Sequence, residues 1–368
     1  MSIVPTLAAS ILTALVLGLS VMVGLRVSML LGKRVSVAAA LLIGYLAIST
    51  CLHFAVLAGR FHLSSVAVLI LAGFWSAPAW PRLGQMSRRV AIETASVAAA
   101  GLLVTVLVLG PALHNAMQVY RQGGLLMAHI DLYHHGAVIS QLARLGAGTG
   151  NSIFLAGFDT PFYHYGLYVL PAFVAWLSGV NGTVLLLWLA LPLGCLLLFI
   201  ALYTLARTLL PHSMLASLSI AAASIVLFDP ARDVVLQTHL FDKSSLLAAS
   251  PGASYGAAVL IWAVAAVLRD RATFWVTLLA STLFLLAFRA NFLILLWLVM
   301  ALLLAQHLIE PLLARRWQLA CLATLAVTGV LISGAFHAHL FGAAPIRAKL
   351  RVLLIGILAF AEARAGGG

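Results

Sequence analysis

From residue 4 to residue 335 the chain is a succession of apolar runs, most of them joined by connectors of a few residues. A helix rises about 1.5 Å per residue, so about 20 apolar residues are needed to cross a hydrocarbon core about 30 Å thick. Runs of that order fall at about 4–25, 36–58, 64–81, 91–113, 183–206, 213–228, 253–268, 272–288, 290–306 and 318–335. Inside lipid a backbone N–H or C=O has no water to bond, and a helix satisfies both within the segment. The expected fold is therefore all-α, a polytopic helical membrane protein with about ten spans. A further apolar piece, 166–178, is short and is hemmed by Pro161, Pro171 and Gly179. It reads as a re-entrant or interfacial helix of a large outside loop, not as a crossing.

Composition removes the soluble alternatives. Of 368 residues, 64% are hydrophobic and 8% charged, against roughly 25% charged in a soluble domain, whose surface must face water. The formal charge of +12 comes from 21 Lys and Arg against nine acids. Those cations are spread through the connectors, with no basic tail and no aromatic-interleaved stripe. They read as charges that orient helices and meet anionic headgroups, so membrane lipid is an expected partner and nucleic acid is not. Cys51, Cys195 and Cys321 each lie inside an apolar run without CxxC spacing, which gives neither a disulfide framework nor a zinc site. Residues 1–24 carry no basic leading segment, so the first run reads as a span and not as a cleavable signal.

Orientation follows from the bias of Lys and Arg toward cytoplasmic connectors. With 166–178 kept on one side, Arg26, Lys33, Arg34, Arg82, Arg88, Arg89, Arg207, Arg269, Arg271, Arg315 and Arg316 fall inside. Arg60, Arg121, Arg144, Arg232, Lys243 and Arg289 then fall outside, together with the N-terminus and loops 114–165 and 229–252. A crossing at 166–178 would invert the later connectors and erase most of this bias. Three regions result: 1–90 with three spans, a core over 91–335 bearing both loops, and a tail over 336–368 that is interfacial or a partial span. The expected location is a bacterial inner (plasma) membrane, with the active face outside the cytoplasm.

Five of the nine acids gather in the two outside loops: Asp131 and Asp159 in the first, Asp229, Asp233 and Asp242 in the second. His114, His129, His134, His135 and His164 share the first loop, and His239 lies in the second. The densest patch is His129-Ile130-Asp131-Leu132-Tyr133-His134-His135. On a helix Asp131 and His135 stand at i and i+4, on one face. Such a pair serves as a general base, or as a divalent-metal ligand pair, or simply as the wet face of an interfacial helix. No HExxH-like spacing marks a metal site, and no cofactor is expected. A second patch, Asp159-Thr160-Pro161-Phe162-Tyr163-His164-Tyr165-Gly166, runs straight into the apolar piece 166–178; an aromatic belt accounts for its tyrosines better than for Asp159 and His164. In the third, Asp229, Arg232 and Asp233 mix both signs with turn residues, as a substrate-facing loop or as local surface pairs. Arg289 interrupts the apolar run near the outside face, where its planar fork suits a lipid phosphate or snorkels to headgroups.

These residues resemble the GT-C superfamily of membrane glycosyltransferases, which use polyprenyl-phosphate-linked sugars, over about residues 91–300. By that resemblance Asp131 matches the acidic motif of the large outside loop, and Thr160–Gly166 matches the aromatic and proline-rich lead-in to the next helix. Asp229 or Asp233 matches the second-loop acid, and Arg289 the basic residue near the lipid phosphate. Here four spans precede the acidic loop where the family usually has one, which makes the first three an N-terminal addition. Asp131 also stands alone among histidines where the family often has paired acids. The resemblance implies an inverting glycosyltransferase with Asp131, His135 and Asp159 as catalytic residues. His134, Tyr163, His164, Asp229, Arg232, Asp233 and Arg289 would bind substrate, and a polyprenyl-phosphate sugar would be the donor. The competing readings are a transporter or flippase for lipid or small solute, and a non-catalytic subunit of a polysaccharide-assembly complex. Coupled transport places ionisable groups along a path within the spans, and these spans hold almost none.

Overall fold

The computed structural model describes residues 3–32, 35–57, 61–123, 130–145, 165–226 and 251–309. Among these residues the regular elements are helices, and no strand occurs. In chain order they are α1 Ile3–Leu30, α2 Val37–Leu57, α3 Phe61–Ser76, the short α4 Trp80–Gly84, α5 Arg88–Arg121, α6 Ile130–Leu145 and α7 Gly166–Ser178. Then come α8 Gly182–Leu185, α9 Leu191–Leu209, α10 Met214–Val226, α11 Pro251–Arg269, α12 Phe274–Phe288 and α13 Phe292–Ile309. The chain divides into two compact units, Met1–Asp229 with Thr238–Leu293, and Pro230–Gln237 with Ile294–Gly368. Helices α1 to α12 belong to the first unit, and all but the first two residues of α13 to the second.

Among the described residues seven stretches are long and apolar enough to cross a membrane: Val4–Leu30, Val37–Leu57, Phe61–Ala79, Arg88–Pro111, Gly182–Leu209, Pro251–Arg269 and Arg271–Phe288. The protein is an integral membrane protein on that ground. Two more of the runs expected from sequence, 213–228 and 290–306, correspond to the shorter apolar helices Met214–Val226 and Phe292–Gln306. Their starts have local causes. Ser213 caps α10 by accepting from the Ala216 N–H at 3.1 Å, and the Arg289–Asn291 turn delays α13, with Phe292 N–H donating to Arg289 O at 3.0 Å. The run 318–335 and the tail 336–368 lie outside the described residues. Loop 114–165 opens as helix, because α5 continues to Arg121, and it contains α6.

Small residues set the closest contact in the first unit. A side chain at Gly24 would strike the Ala40 backbone, and one at Gly44 would strike the Ser20 backbone. α1 and α2 therefore run antiparallel with their backbones nearly touching, the geometry that small residues permit where hydrophobic driving force is absent. Ser20 and Ser28 are buried at this contact without cost to the helix, since their hydroxyls donate to Val16 O at 2.8 Å and Leu25 O at 2.7 Å. α2 is the most enclosed of the early spans, with Leu42, Leu46 and Leu52 fully buried. α3 and α5 stay at the perimeter: Leu63, Ile70 and Phe74, and likewise Leu102, Leu103, Val106 and Leu107, are exposed. A soluble monomer does not tolerate so large an apolar patch; lipid does.

Two contacts hold α9 to its neighbours at its opposite ends. At one end Glu93 of α5 accepts from Tyr203 Oη at 2.5 Å and from Arg207 Nε at 3.3 Å. At the other, one π-helical turn at Leu186–Ala190 precedes Pro192, and Tyr255 of α11 donates to Ala190 O at 2.6 Å. A proline lacks an N–H and a π turn shifts the ladder, so the tyrosine bonds a carbonyl where the helix's own ladder is disturbed. Gly194 lets α11 approach, for a side chain there would meet Ser254 and Tyr255.

Helix α7 does not follow the spanning pattern. Its lead-in residue Tyr165 lies beside His53, one turn before the end of α2. Near its far end Trp176 stacks on His62, at the start of α3, with ring centroids 4.5 Å apart. His53 and His62 flank the short 58–60 connection, so both ends of α7 lie at the same end of the α2–α3 pair. Thirteen residues make about 20 Å of helix, short of a core about 30 Å thick. In sequence, residues 146–164 and 227–250 lead into α7 and α11, whose starts lie at that end; Arg26, Arg88, Arg207 and Arg269 lie at the other.

Two outcomes are expected. Gly44→Leu lowers the unfolding temperature in detergent by the equivalent of about 1–3 kcal/mol or more, as overpacking does. Gly18→Ala, where nothing lies within 4 Å, is neutral or gains up to about 1 kcal/mol of helix propensity. With the native cysteines replaced, single cysteines at Gln85 and His212 react with an impermeant maleimide from one side of sealed vesicles, and Gln122 from the other. Labelling of His212 and Gln122 from the same side would mean that α7 crosses.

Candidate functional site

The sequence reading places its chemistry at the loop-bearing end, and there three helices begin near one another. α6 starts with Ile130-Asp131, α7 with Gly166 and α11 with Pro251-Gly252. Each helix start leaves up to four N–H groups without an intrahelical acceptor, and α7 shows how they are used. The Tyr165 N–H donates to Nδ1 of His53 at 3.2 Å. Since Nδ1 accepts, the proton of the neutral ring sits on Nε2. His53 itself is fully buried on α2, so a histidine inside a span fixes where the aromatic lead-in docks.

One turn further along α7, the Tyr168 hydroxyl meets His135 Nδ1 at 2.5 Å, with the two rings stacked at 5.7 Å and 22°. Tyr168 is fully buried and His135 is 7% exposed. The His134 ring stands edge-on to His135 at 5.4 Å. Glycines make the approach of these helices tight. A side chain on Gly136 would strike Thr183, and the Gly182 N–H donates to Ser140 Oγ at 3.1 Å. Asn181 caps the following helix, accepting from Thr183 N–H at 2.8 Å. The far end of α6 is tied by His62, whose Nε2 lies 2.9 Å from Ala143 O. α6 is thus clamped along its length on α7, α8 and the start of α3. Asp131, second residue of α6, lies one turn before His135 on the same helical face; its side chain lies outside the described residues.

Arg289 sits at the end of α12, its N–H donating to Leu285 O at 2.8 Å. A side chain added at Gly252 would come within 3.1 Å of Phe288 O, 3.3 Å of Arg289 Cδ and 3.4 Å of Leu167 Cδ2. One at Gly256 would come within 3.1 Å of Arg289 Cβ, and one at Gly166 within 2.8 Å of Ala287 O. The starts of α7 and α11 and the end of α12 therefore meet at three glycines, with the partly buried Arg289 packed among them. Beneath them lies an aromatic floor: Phe288 stacks on Tyr255 at 5.3 Å, and Tyr255 on Tyr45 at 6.1 Å. Helix starts carry partial positive charge; with a guanidinium beside two of them, the site is suited to an anion.

Of the residues expected from sequence, the structure brings His135 onto the first turns of α7, with His134 edge-on beside it, and places Arg289 at the α7–α11–α12 meeting point. Asp159, Tyr163, His164, Asp229, Arg232 and Asp233 lie outside the described residues. Among the described residues no three His, Cys, Asp or Glu side chains gather as metal ligands; the metal reading rests on Asp131 with His135. Sequence reasoning gave His53 no role. Its signal was a lone histidine inside an apolar run, which is costly unless bonded. Comparison with protein-family models, with curated proteins and with solved structures finds no match to this chain.

The buried Tyr168–His135 contact yields a direct test. Tyr168→Phe is expected to lower stability by about 1–3 kcal/mol, the cost of removing one partner of a buried hydrogen bond. A double variant with His135→Phe loses less than the sum of the single losses. Strict additivity in thermal unfolding would show that the two groups are not coupled.

Proposed function

We propose that the chain is a glycosyltransferase that moves a sugar from a polyprenyl-phosphate donor to an acceptor hydroxyl, on the non-cytoplasmic face of a bacterial inner membrane. The observation that carries this reading is the docking of the α6 patch, through His135, on the first turns of α7, whose start also packs by Arg289. Those two segments, 129–135 and 160–166, are the ones that resemble the acidic motif and the aromatic lead-in of GT-C enzymes. An anion-suited meeting of helix starts with Arg289 supports a phosphate as the leaving group.

In this mechanism Asp131 takes the proton of the acceptor hydroxyl while that oxygen attacks the anomeric carbon from the face opposite the phosphate. The bond from the anomeric carbon to the phosphate oxygen breaks, its electron pair stays on the phosphate, and configuration inverts. Polyprenyl phosphate leaves, stabilised by Arg289 with Arg232 from the second loop. His135, held by Tyr168, orients Asp131 and shares its proton. The same reading assigns Asp159 a catalytic role, and gives His134, Tyr163, His164, Asp229 and Asp233 the binding of sugar and acceptor. A location outside the cytoplasm suits lipid-linked donors, because nucleotide sugars are absent there.

The test uses purified protein in proteoliposomes with polyprenyl-phosphate sugars, following release of polyprenyl phosphate by mass spectrometry. Asp131→Asn is expected to cut turnover at least about 100-fold, the lower range of general-base contributions, with an unchanged unfolding temperature. Polyprenyl phosphate at a hundredfold excess over its dissociation constant is expected to stabilise the parent by about 2.7 kcal/mol, and Arg289→Ala to reduce that shift. Transfer by Asp131→Asn at the parent rate would remove the base assignment; no shift with any prenyl phosphate would remove the donor.

A further inference from the structure

Arg26 stands in the last two turns of α1, inside an apolar span and at the end opposite the site described above. Its guanidinium lies over the Trp75 ring, 5.9 Å from the centroid, and its Nε is buried with no hydrogen-bond partner among the described residues. A cation at that position calls for an anion, since an unpaired charge near hydrocarbon is costly. The acids described at that end are committed elsewhere. Glu93 is engaged by Tyr203 and Arg207, and Asp270 caps a turn by accepting from Ala272 N–H at 3.0 Å.

The surroundings have the composition of a headgroup site. Trp75 is 43% and Trp80 70% exposed, two indoles within one turn of each other's elements at the close of α3 and the opening of α4. Their N–H groups prefer the depth where lipid headgroups begin. The turn that joins them packs on α1 through Ala79, which is buried against Met22, Leu25 and Ala40. Arg88 and Arg89 are exposed at the same end, on the first turn of α5, and Lys33 and Arg34 follow α1 in the sequence. The ring of Trp75 takes one face of the guanidinium, Nε is turned inward, and the two terminal Nη groups remain to bond two oxygens of one phosphate.

We infer that Arg26 with Trp75 forms a binding site for the phosphate of an anionic phospholipid, on the leaflet opposite the candidate active site. The fork of Arg26 holds the phosphate, the indoles flank the glycerol backbone, and the neighbouring cations favour lipids of net negative charge. The inference is independent of the proposed transfer reaction.

The experiment takes the full chain in neutral detergent and measures lipid retention by native mass spectrometry, alongside the unfolding temperature. The additives are phosphatidylglycerol, phosphatidylcholine or inorganic phosphate. Phosphatidylglycerol is expected to remain bound and to raise the unfolding temperature of the parent. Arg26→Gln should weaken its binding about tenfold, the size of one hydrogen bond to a charged group. Arg88→Gln, an exposed cation at the same end, should change it less than about twofold. Trp75→Leu keeps the charge and removes the ring, and its weaker retention supports the site even if Arg26→Gln does not fold. Equal retention by Arg26→Gln and the parent, or by Trp75→Leu and the parent, overturns the site. An equal shift with inorganic phosphate or phosphatidylcholine overturns the anionic-lipid assignment.

Discussion

The bond from the Tyr165 N–H to His53 belongs to the constraint that shapes the whole unit: in lipid no backbone group can turn to water. Where the helices run unbroken the constraint is met within each segment. Where they break, side chains complete the pattern. His53 accepts at the start of α7, Tyr255 donates to Ala190 O beside the π turn, and Asn181 and Ser213 cap the helices that follow them. All of these breaks but the Ser213 cap lie close to the side chains with chemistry, because a helix end is also where polar groups can be presented in numbers.

The two ends of the unit use polarity differently. At the connector end, Glu93, Tyr203 and Arg207 close a compact set of charge-assisted bonds between α5 and α9, while the Arg26 guanidinium lies over Trp75. At the loop-bearing end the buried polar side chains include the rings of His53, His135, Tyr168 and Tyr255, with Arg289 at the margin. Hydrogen-bonded polar side chains cost less to bury than charged ones, and the division accords with the proposed transfer at one face and the proposed lipid site at the other.

The all-α membrane class was legible in the sequence because run length and charge scarcity follow directly from the bilayer. Seven of the expected spans coincide with long apolar helices. The number of crossings was less legible: among the described residues 213–228 and 290–306 correspond to the shorter apolar helices Met214–Val226 and Phe292–Gln306. Of the candidate site, His134 and His135 were legible as a cluster of costly residues, and Arg289 as a cation at a span end. Their partners were not. The His135–Tyr168 contact joins residues 33 apart and the His53–Tyr165 bond residues 112 apart, and no local period carries such pairing. Nor does a glycine announce its function: Gly18 meets nothing, whereas Gly252 and Gly166 lie where α7, α11 and α12 meet.

The separation of 112 residues also orders the birth of the molecule. α1 and α2 are neighbours in sequence, and their glycine-lined contact needs nothing made later, so this pair can close as soon as both segments have left the ribosome. The other side of α2, with Tyr45 and His53, has to wait for Tyr165 and then Tyr255 to be synthesised. At about 5–20 residues per second, that leaves several seconds in which a half-finished helical hairpin shows polar groups to lipid or to the insertion machinery. A substitution that makes this face more polar would therefore be felt first as failed biogenesis, before any defect in the finished protein could be measured.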